Sequence, residues 1–248
     1  AAQSTAVDNA INLDIVVVVA AGNNGPNEST IASPGTARKV ITVGAIDKQL
    51  NMANFSSRGH ITFTENGNTI SLIKPDVVAP GVHICAAQWD SWLEGFECTP
   101  ELENHIAISG TSMATPHAAG LAALLKQKNP NYTPDEIKNI IKNSATDLDY
   151  PTKAQGHGKI DALQAISILT PPETWDFGIT TQGGFLSDVH NTIEIRGIFP
   201  EDYESLVVEY ALESNLNEWH NTGITIVGQN EVLALFDPET LNESGWYI

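Results

Sequence analysis

The chain reads as an α/β domain built on a parallel sheet, followed by a small antiparallel β-sandwich. Three observations carry this. Ile15-Val16-Val17-Val18-Val19-Ala20-Ala21 is a continuous, mostly β-branched run, the pattern of a parallel strand covered on both faces. Ala118-Ala119-Gly120-Leu121-Ala122-Ala123-Leu124-Leu125 is apolar on every face of a helix, which predicts a helix buried all round. Beyond residue 170 apolar and polar residues alternate, the period of strands with one wet face.

In chain order, the Ile15 run empties into Gly22-Asn23-Asn24-Gly25. Ligands of open α/β sheets gather where strands end on their carboxyl side, so Asn23 is a candidate site residue; taken alone it would be an Asx turn capping the strand. The most informative stretch is Ile108-Ser109-Gly110-Thr111-Ser112-Met113-Ala114-Thr115-Pro116-His117. Gly110 lets the backbone turn tightly and keeps bulk away from an incoming chain. Ser112 and Met113 open the apolar helix, whose first amides and positive dipole end favour a developing negative charge. Pro116 lies near its start, where a missing amide hydrogen costs least. Ser112 thus presents a hydroxyl at a helix mouth. To act as a nucleophile it needs a base, a carboxylate orienting that base, and donors for an oxyanion.

After Ser112, Tyr132-Thr133-Pro134-Asp135-Glu136-Ile137 predicts a helix start: Thr133 caps, Pro134 fills the first turn and Glu136 closes a capping box. Ile137, Ile140 and Ile141 line one face. Gly156-His157-Gly158-Lys159-Ile160-Asp161-Ala162-Leu163 reads as a turn and a last helix. Thr170-Pro171-Pro172-Glu173 makes a linker. The boundary therefore falls between residues 1–169 and 170–248. In the second part Ile193 and Ile195, then Leu206, Val208, Tyr210 and Leu212, then Ile224 and Ile226, then Val232, Ala234 and Phe236 mark strands of a sandwich loosely similar to fibronectin type III modules, with truncation at its end an open reading.

The formal net charge is −18; residues 1–169 hold 11 bases and 16 acids, while residues 170–248 hold one base and 14 acids. Nucleic acid and anionic membrane surfaces are poor partners for such a chain. Its acidity serves solubility first, with a salty habitat or cation binding as alternatives. No run is long enough to span a membrane.

The ten-residue segment around Ser112 resembles the nucleophile segment of the subtilisin-like serine proteases, the subtilases. So do Ala20-Ala21-Gly22-Asn23, Val40-Ile41-Thr42-Val43-Gly44-Ala45-Ile46-Asp47, Asn54-Phe55-Ser56-Ser57-Arg58-Gly59 and Lys74-Pro75-Asp76-Val77-Val78-Ala79-Pro80-Gly81, in family order. The resemblance covers roughly the first two thirds of the chain. It implies a three-layer parallel-sheet domain and a secreted serine endopeptidase acting on polypeptides through an acyl-enzyme on Ser112, with the Asn23 amide in the oxyanion hole. Ala20, Ala21, Gly22, Gly110 and Thr111 are implied to border the substrate.

The departures matter equally. The family's Asp-Ser/Thr-Gly and His-Gly-Thr-His motifs, which carry the triad aspartate and histidine, are not in this sequence, and the opening residues look like the helix preceding the Ile15 strand. The expectation is the C-terminal half of a catalytic domain, inactive alone, whose partner is the missing N-terminal half or, failing that, a second copy. The rival reading is a non-catalytic binding or scaffold module derived from a protease. Of seven histidines, only His117 belongs to the motif; it reads as a packed, hydrogen-bonded core residue, and His105 as a solvated loop residue.

Cys85 and Cys98 are the two cysteines, in a stretch that by this resemblance is longer than the usual subtilase connection and should border the primed side of the cleft. The expectation is a disulfide pinning a substrate-facing loop, worth about 3 kcal/mol, against the alternative of a free, buried Cys85 in a strand. The chemistry on Ser112 requires no cofactor. The resemblance implies calcium: a strong site in the absent part and a weaker one made of backbone carbonyls in the region of Gly35 to Val40.

Overall fold

A computed structural model gives the fold. It describes residues 2–65, 68–89, 96–98, 104–168, 178–180, 193–196, 206–210, 220–226 and 232–236. In chain order the elements are α1 (Ala2–Ile11), β1 (Val18–Ala20), β2 (Ile41–Ile46), β3 (Ile61–Glu65), β4 (Asn68–Leu72), β5 (Val77–Pro80), β6 (Ile84–Ala87), β7 (Phe96–Glu97), β8 (His105–Ile108), α2 (Thr111–Lys128), α3 (Pro134–Asn143), α4 (Thr152–Gln155), α5 (Ala162–Ser167), β9 (Gly178–Thr180), β10 (Ile193–Arg196), β11 (Leu206–Tyr210), β12 (His220–Ile226) and β13 (Val232–Phe236). They fall into two compact units, Ala1–Ile61 with Ile73–Pro172, and Thr62–Leu72 with Glu173–Ile248.

The first unit is α/β. Its central sheet has the order β1-β2-β5, parallel throughout. Strand side chains alternate between two covered faces. Ile41, Val43 and Ala45 join Ala114, Ala118, Leu121 and Leu125 of α2 and Ile137, Ile140 and Ile141 of α3 in the main core. Val40 packs on the other side with Ile11 and Ala37, and Val17 and Val19 pack against that cluster. The three isoleucines of α3 are wholly buried, so truncating any one to alanine costs about 2–5 kcal/mol. Thr133 and Glu136 exchange hydrogen bonds as the capping box requires, Glu136 N to Thr133 Oγ1 at 3.2 Å and Thr133 N to Glu136 Oε2 at 2.6 Å.

Two expectations need correcting. The Ile15 run yields only a three-residue strand, half-buried rather than sandwiched, because β1 lies at the sheet edge; Ile15 itself is 53% exposed. The α2 helix is not buried all round either. Its inner face packs on the sheet, but Pro116, His117, Ala119, Gly120, Ala123 and Leu124 are exposed, for nothing among the described residues covers them. Uniform apolarity therefore marked a helix correctly and its environment only on one side.

Polar side chains lie inside this unit too. Lys74 is 1% exposed and Asp76 3%. Lys74 Nζ donates to the Val40 carbonyl at 2.9 Å and to Asp76 Oδ2 at 2.5 Å, and the Thr42 amide donates to the same carboxylate oxygen at 2.7 Å. Lys138 Nζ, from α3, lies 3.3 Å from Asp76 Oδ1 and donates to the Arg38 carbonyl at 2.9 Å. Burial pulls the Lys74 pKa down to about 7 against the attraction of Asp76. Burial would raise Asp76, but the charges of Lys138 and Lys74 outweigh it and hold the carboxyl well below the usual range.

In the C-terminal segment of the second unit the described strands form the sheets β13-β10-β9 and β11-β12, both antiparallel. The alternating runs at Ile193, Leu206, Ile224 and Val232 all fall on these strands. Leu212, Trp219 and residues 237–248 lie outside the described residues. No helix among the described residues is long and apolar enough to cross a membrane.

Candidate active site

The site forms where the end of β1 meets the start of α2. The Ala21 amide donates to Val43 at 2.9 Å, carrying the sheet pairing one residue past β1. The chain then turns at Gly22, whose φ of +109° few side chains tolerate; a Cβ there would also lie 2.9 Å from Ser57 Oγ and 3.2 Å from Ala32 Cβ. This turn brings exposed Asn23 to the helix mouth. Asn23 Oδ1 accepts from both the Thr111 amide and the Thr111 hydroxyl, each at 2.9 Å. The Thr111 hydroxyl oxygen in turn accepts from the Gly22 amide at 3.2 Å.

This arrangement fixes the asparagine's orientation. A backbone amide can only donate, so the atom facing Thr111 N must be the oxygen, and Nδ2, the donor end, is left on the other side. It lies 3.5 Å from where a Cβ on Gly110 would be, so the glycine keeps the space before it clear.

The helix start complements it. Gly110 caps α2 with no side-chain hydrogen bond of its own, and Asn23 satisfies the Thr111 amide from 88 residues away. The Met113 amide donates to the Gly110 carbonyl at 3.0 Å. Between them the Ser112 amide finds no acceptor among the described residues. Exposed Ser112 therefore offers a hydroxyl and an unengaged amide beside the Asn23 side chain, at the positive end of an 18-residue helix.

Of the residues expected at the site, Gly22, Asn23, Gly110, Thr111 and Ser112 converge, and Ala20 and Ala21 form the strand end leading to them. Thr111 is wholly buried, so its contribution is the hold on Asn23, a clamp that sequence spacing alone did not reveal. His117 is exposed rather than a core residue, because it faces outward from α2; its Nδ1 lies 3.0 Å from the Met113 carbonyl. His105 lies half-buried in β8 rather than in a solvated loop, since the alternation that follows it, Ile106-Ala107-Ile108, pairs with β6. No histidine among the described residues bonds to Ser112.

Cys85 and Cys98 are joined, with Cα atoms 5.7 Å apart. Cys85 sits on β6 and Cys98 directly follows β7, in the antiparallel sheet β6-β8-β7 that leads into α2 through β8. Cys85 is exposed, not a buried strand residue, and Trp89, between the two cysteines, is 84% exposed. Trp92 lies outside the described residues.

A parallel sheet with a glycine turn and a serine-bearing helix at its carboxyl edge defines a class, and comparison with known proteins specifies it. The model of the subtilase family, peptidase S8, matches residues 1–158. The chain belongs to the subtilase family. It is 40% identical over 171 residues to the serine protease AprX of Bacillus subtilis, a match covering 65% of this chain and 37% of that protein. It is 36% identical over 160 residues to subtilisin BL of Lederbergia lenta, covering 64% of this chain and 49% of that protein. Among solved structures, one described as proteases from Pseudoalteromonas arctica matches with a TM-score of 0.50 and 31% identity, over 66% of this chain and 45% of that one. The chain thus spans less than half the length of these relatives.

Proposed function

We propose that this chain is the C-terminal part of the catalytic domain of a secreted subtilisin-like serine endopeptidase, followed by an acidic β-sandwich. The observation that supports it best is the clamp on Asn23: with Oδ1 held by Thr111, the Nδ2 donor is preset beside the free Ser112 amide. In this reading Ser112 Oγ attacks the carbonyl carbon of a peptide held along Ala20, Ala21, Gly22 and Gly110. Its proton passes to a histidine, oriented by an aspartate, from the remainder of the catalytic domain. The carbonyl oxygen takes up the negative charge and is met by Asn23 Nδ2 and the Ser112 amide, both preorganised before the reaction begins. The amine leaves with the proton the histidine took up, and water, giving a proton to the same histidine, then releases the acyl group from Ser112. None of these steps calls for a cofactor.

The exposed apolar strip of α2 and the open edge of β1 support docking of that remainder, and self-association of the chain in its absence. The test is direct. The 248 residues alone should not hydrolyse a peptide, whereas the chain extended to include an Asp and a His motif should, and Ser112→Ala should then lower turnover by about 10⁶, the size of loss found in subtilisin itself. Hydrolysis by the 248 residues alone, abolished by Ser112→Ala, would show a base other than the one proposed.

A further inference from the structure

The family implies a weak calcium site among the carbonyls of residues 35–40, and the residues present do not fit one. Calcium takes six to eight oxygen ligands at about 2.3–2.6 Å and favours a net negative cage. Here three of those carbonyls already accept from protein side chains, Gly35 from the Thr42 hydroxyl at 2.8 Å, Arg38 from Lys138 and Val40 from Lys74, and the Pro34 carbonyl just before them accepts from the Ala37 amide at 2.8 Å. Asp76 is the carboxylate of the cluster, and its two oxygens are taken by Lys74, Thr42 and Lys138. Two lysines face one carboxylate, with Lys142 close enough to act on Lys74 as well. A divalent ion placed between Val40 and Asp76 would sit on the Lys74 nitrogen.

We infer that the Lys74 ammonium takes the place of the metal: it is a covalently tethered cation that fastens the Gly35–Val40 loop to Asp76, making this part of the fold independent of added cations. The geometry explains the choice of residue. The side chain starts two residues before Asp76 and its head reaches a carbonyl 34 residues back, bridging the groups that a free ion would have to bridge. A tethered charge also avoids the entropy of capturing an ion from solution.

The experiment is thermal unfolding of the full chain at pH 6, where the Lys74 amine carries its proton, at constant ionic strength held with choline chloride, while calcium, potassium or methylammonium is titrated in. Three proteins are compared: the unaltered chain, Lys74→Ala, and Lys74→Ala with Asp76→Asn. The unaltered chain should show no saturable rise in midpoint beyond what the double variant shows. Lys74→Ala should melt lower by at least about 4 °C and regain half or more of that as one of the cations fills the vacated space, and the double variant should regain none. A saturable calcium response in the unaltered chain that the double variant lacks would overturn the inference. So would a Lys74→Ala that keeps its midpoint, or one that no cation restores. Should Lys74→Ala stay unfolded throughout, Lys74→Gln decides by the same comparison.

Discussion

Two polar clusters hold the first unit together across long stretches of chain, and they are finished in opposite ways. Around Asp76 every oxygen has a donor, and Lys74, Asp76 and Thr42 lie within a few per cent of complete burial. Around Asn23 one end of the amide is held and the other is left over, as is the neighbouring Ser112 amide, at an exposed surface. A saturated cluster can only stabilise. A cluster with two donors left over can bind a charge that arrives later, which is what the proposed acyl transfer asks of a site. The difference lies in satisfaction, not in residue type.

The comparison can be broken at its saturated end first. Asp76→Ala leaves buried Lys74 and half-buried Lys138 without a counter-charge, and should destabilise the chain by about 3–5 kcal/mol, read by denaturant unfolding. A loss below about 1 kcal/mol would mean that water already reaches the cluster.

At the unsaturated end the effect moves from stability to rate. In the extended, active protein, Asn23→Ala should lower turnover by about 10² to 10³, the loss known for the equivalent change in subtilisin, with little change in KM. A raised KM with unchanged turnover would make Asn23 a substrate-binding residue. Thr111→Val keeps the backbone donor and removes the hydroxyl, so it should cost only about tenfold, through a looser Asn23.

The smallest effect lies beside the Asp76 cluster, at His157, whose amide donates to the Asp76 carbonyl at 2.9 Å. Packing, then the charge of Lys142, press its pKa down from 6.5 towards about 4, with Asp76 opposing. Much of the residue meets water, so the drop should be partial, and an NMR titration should place the midpoint between 4 and 6.5. A depressed histidine adds stability above its unfolded pKa and loses it as pH falls towards the folded one. Stability should therefore decline as pH drops below 6.5; a midpoint at or above 6.5 would contradict the packing.

The sequence made much of this legible because the signals were local. The capping box at Thr133 and Glu136, the glycine turn after β1 and the serine at the head of an apolar helix each occupy a few consecutive residues. What escaped depended on distance. The hold of Thr111 on Asn23 spans 88 residues and that of Lys138 on Arg38 spans 100, and neither leaves a periodicity to detect. The exposure of the outer face of α2 escaped for another reason: composition reports what a surface prefers to touch, not whether a neighbour is there.

The Cys85–Cys98 bridge has a bearing on survival in the company of proteases. The segment it closes carries Trp89 in the open, and a peptidase cuts first where the chain is exposed. A single nick between the cysteines would leave both new ends tethered, with β6 and β8 still paired and the fragments still one covalent molecule. On a gel without reductant such a chain would run at full mass, and with reductant as two pieces.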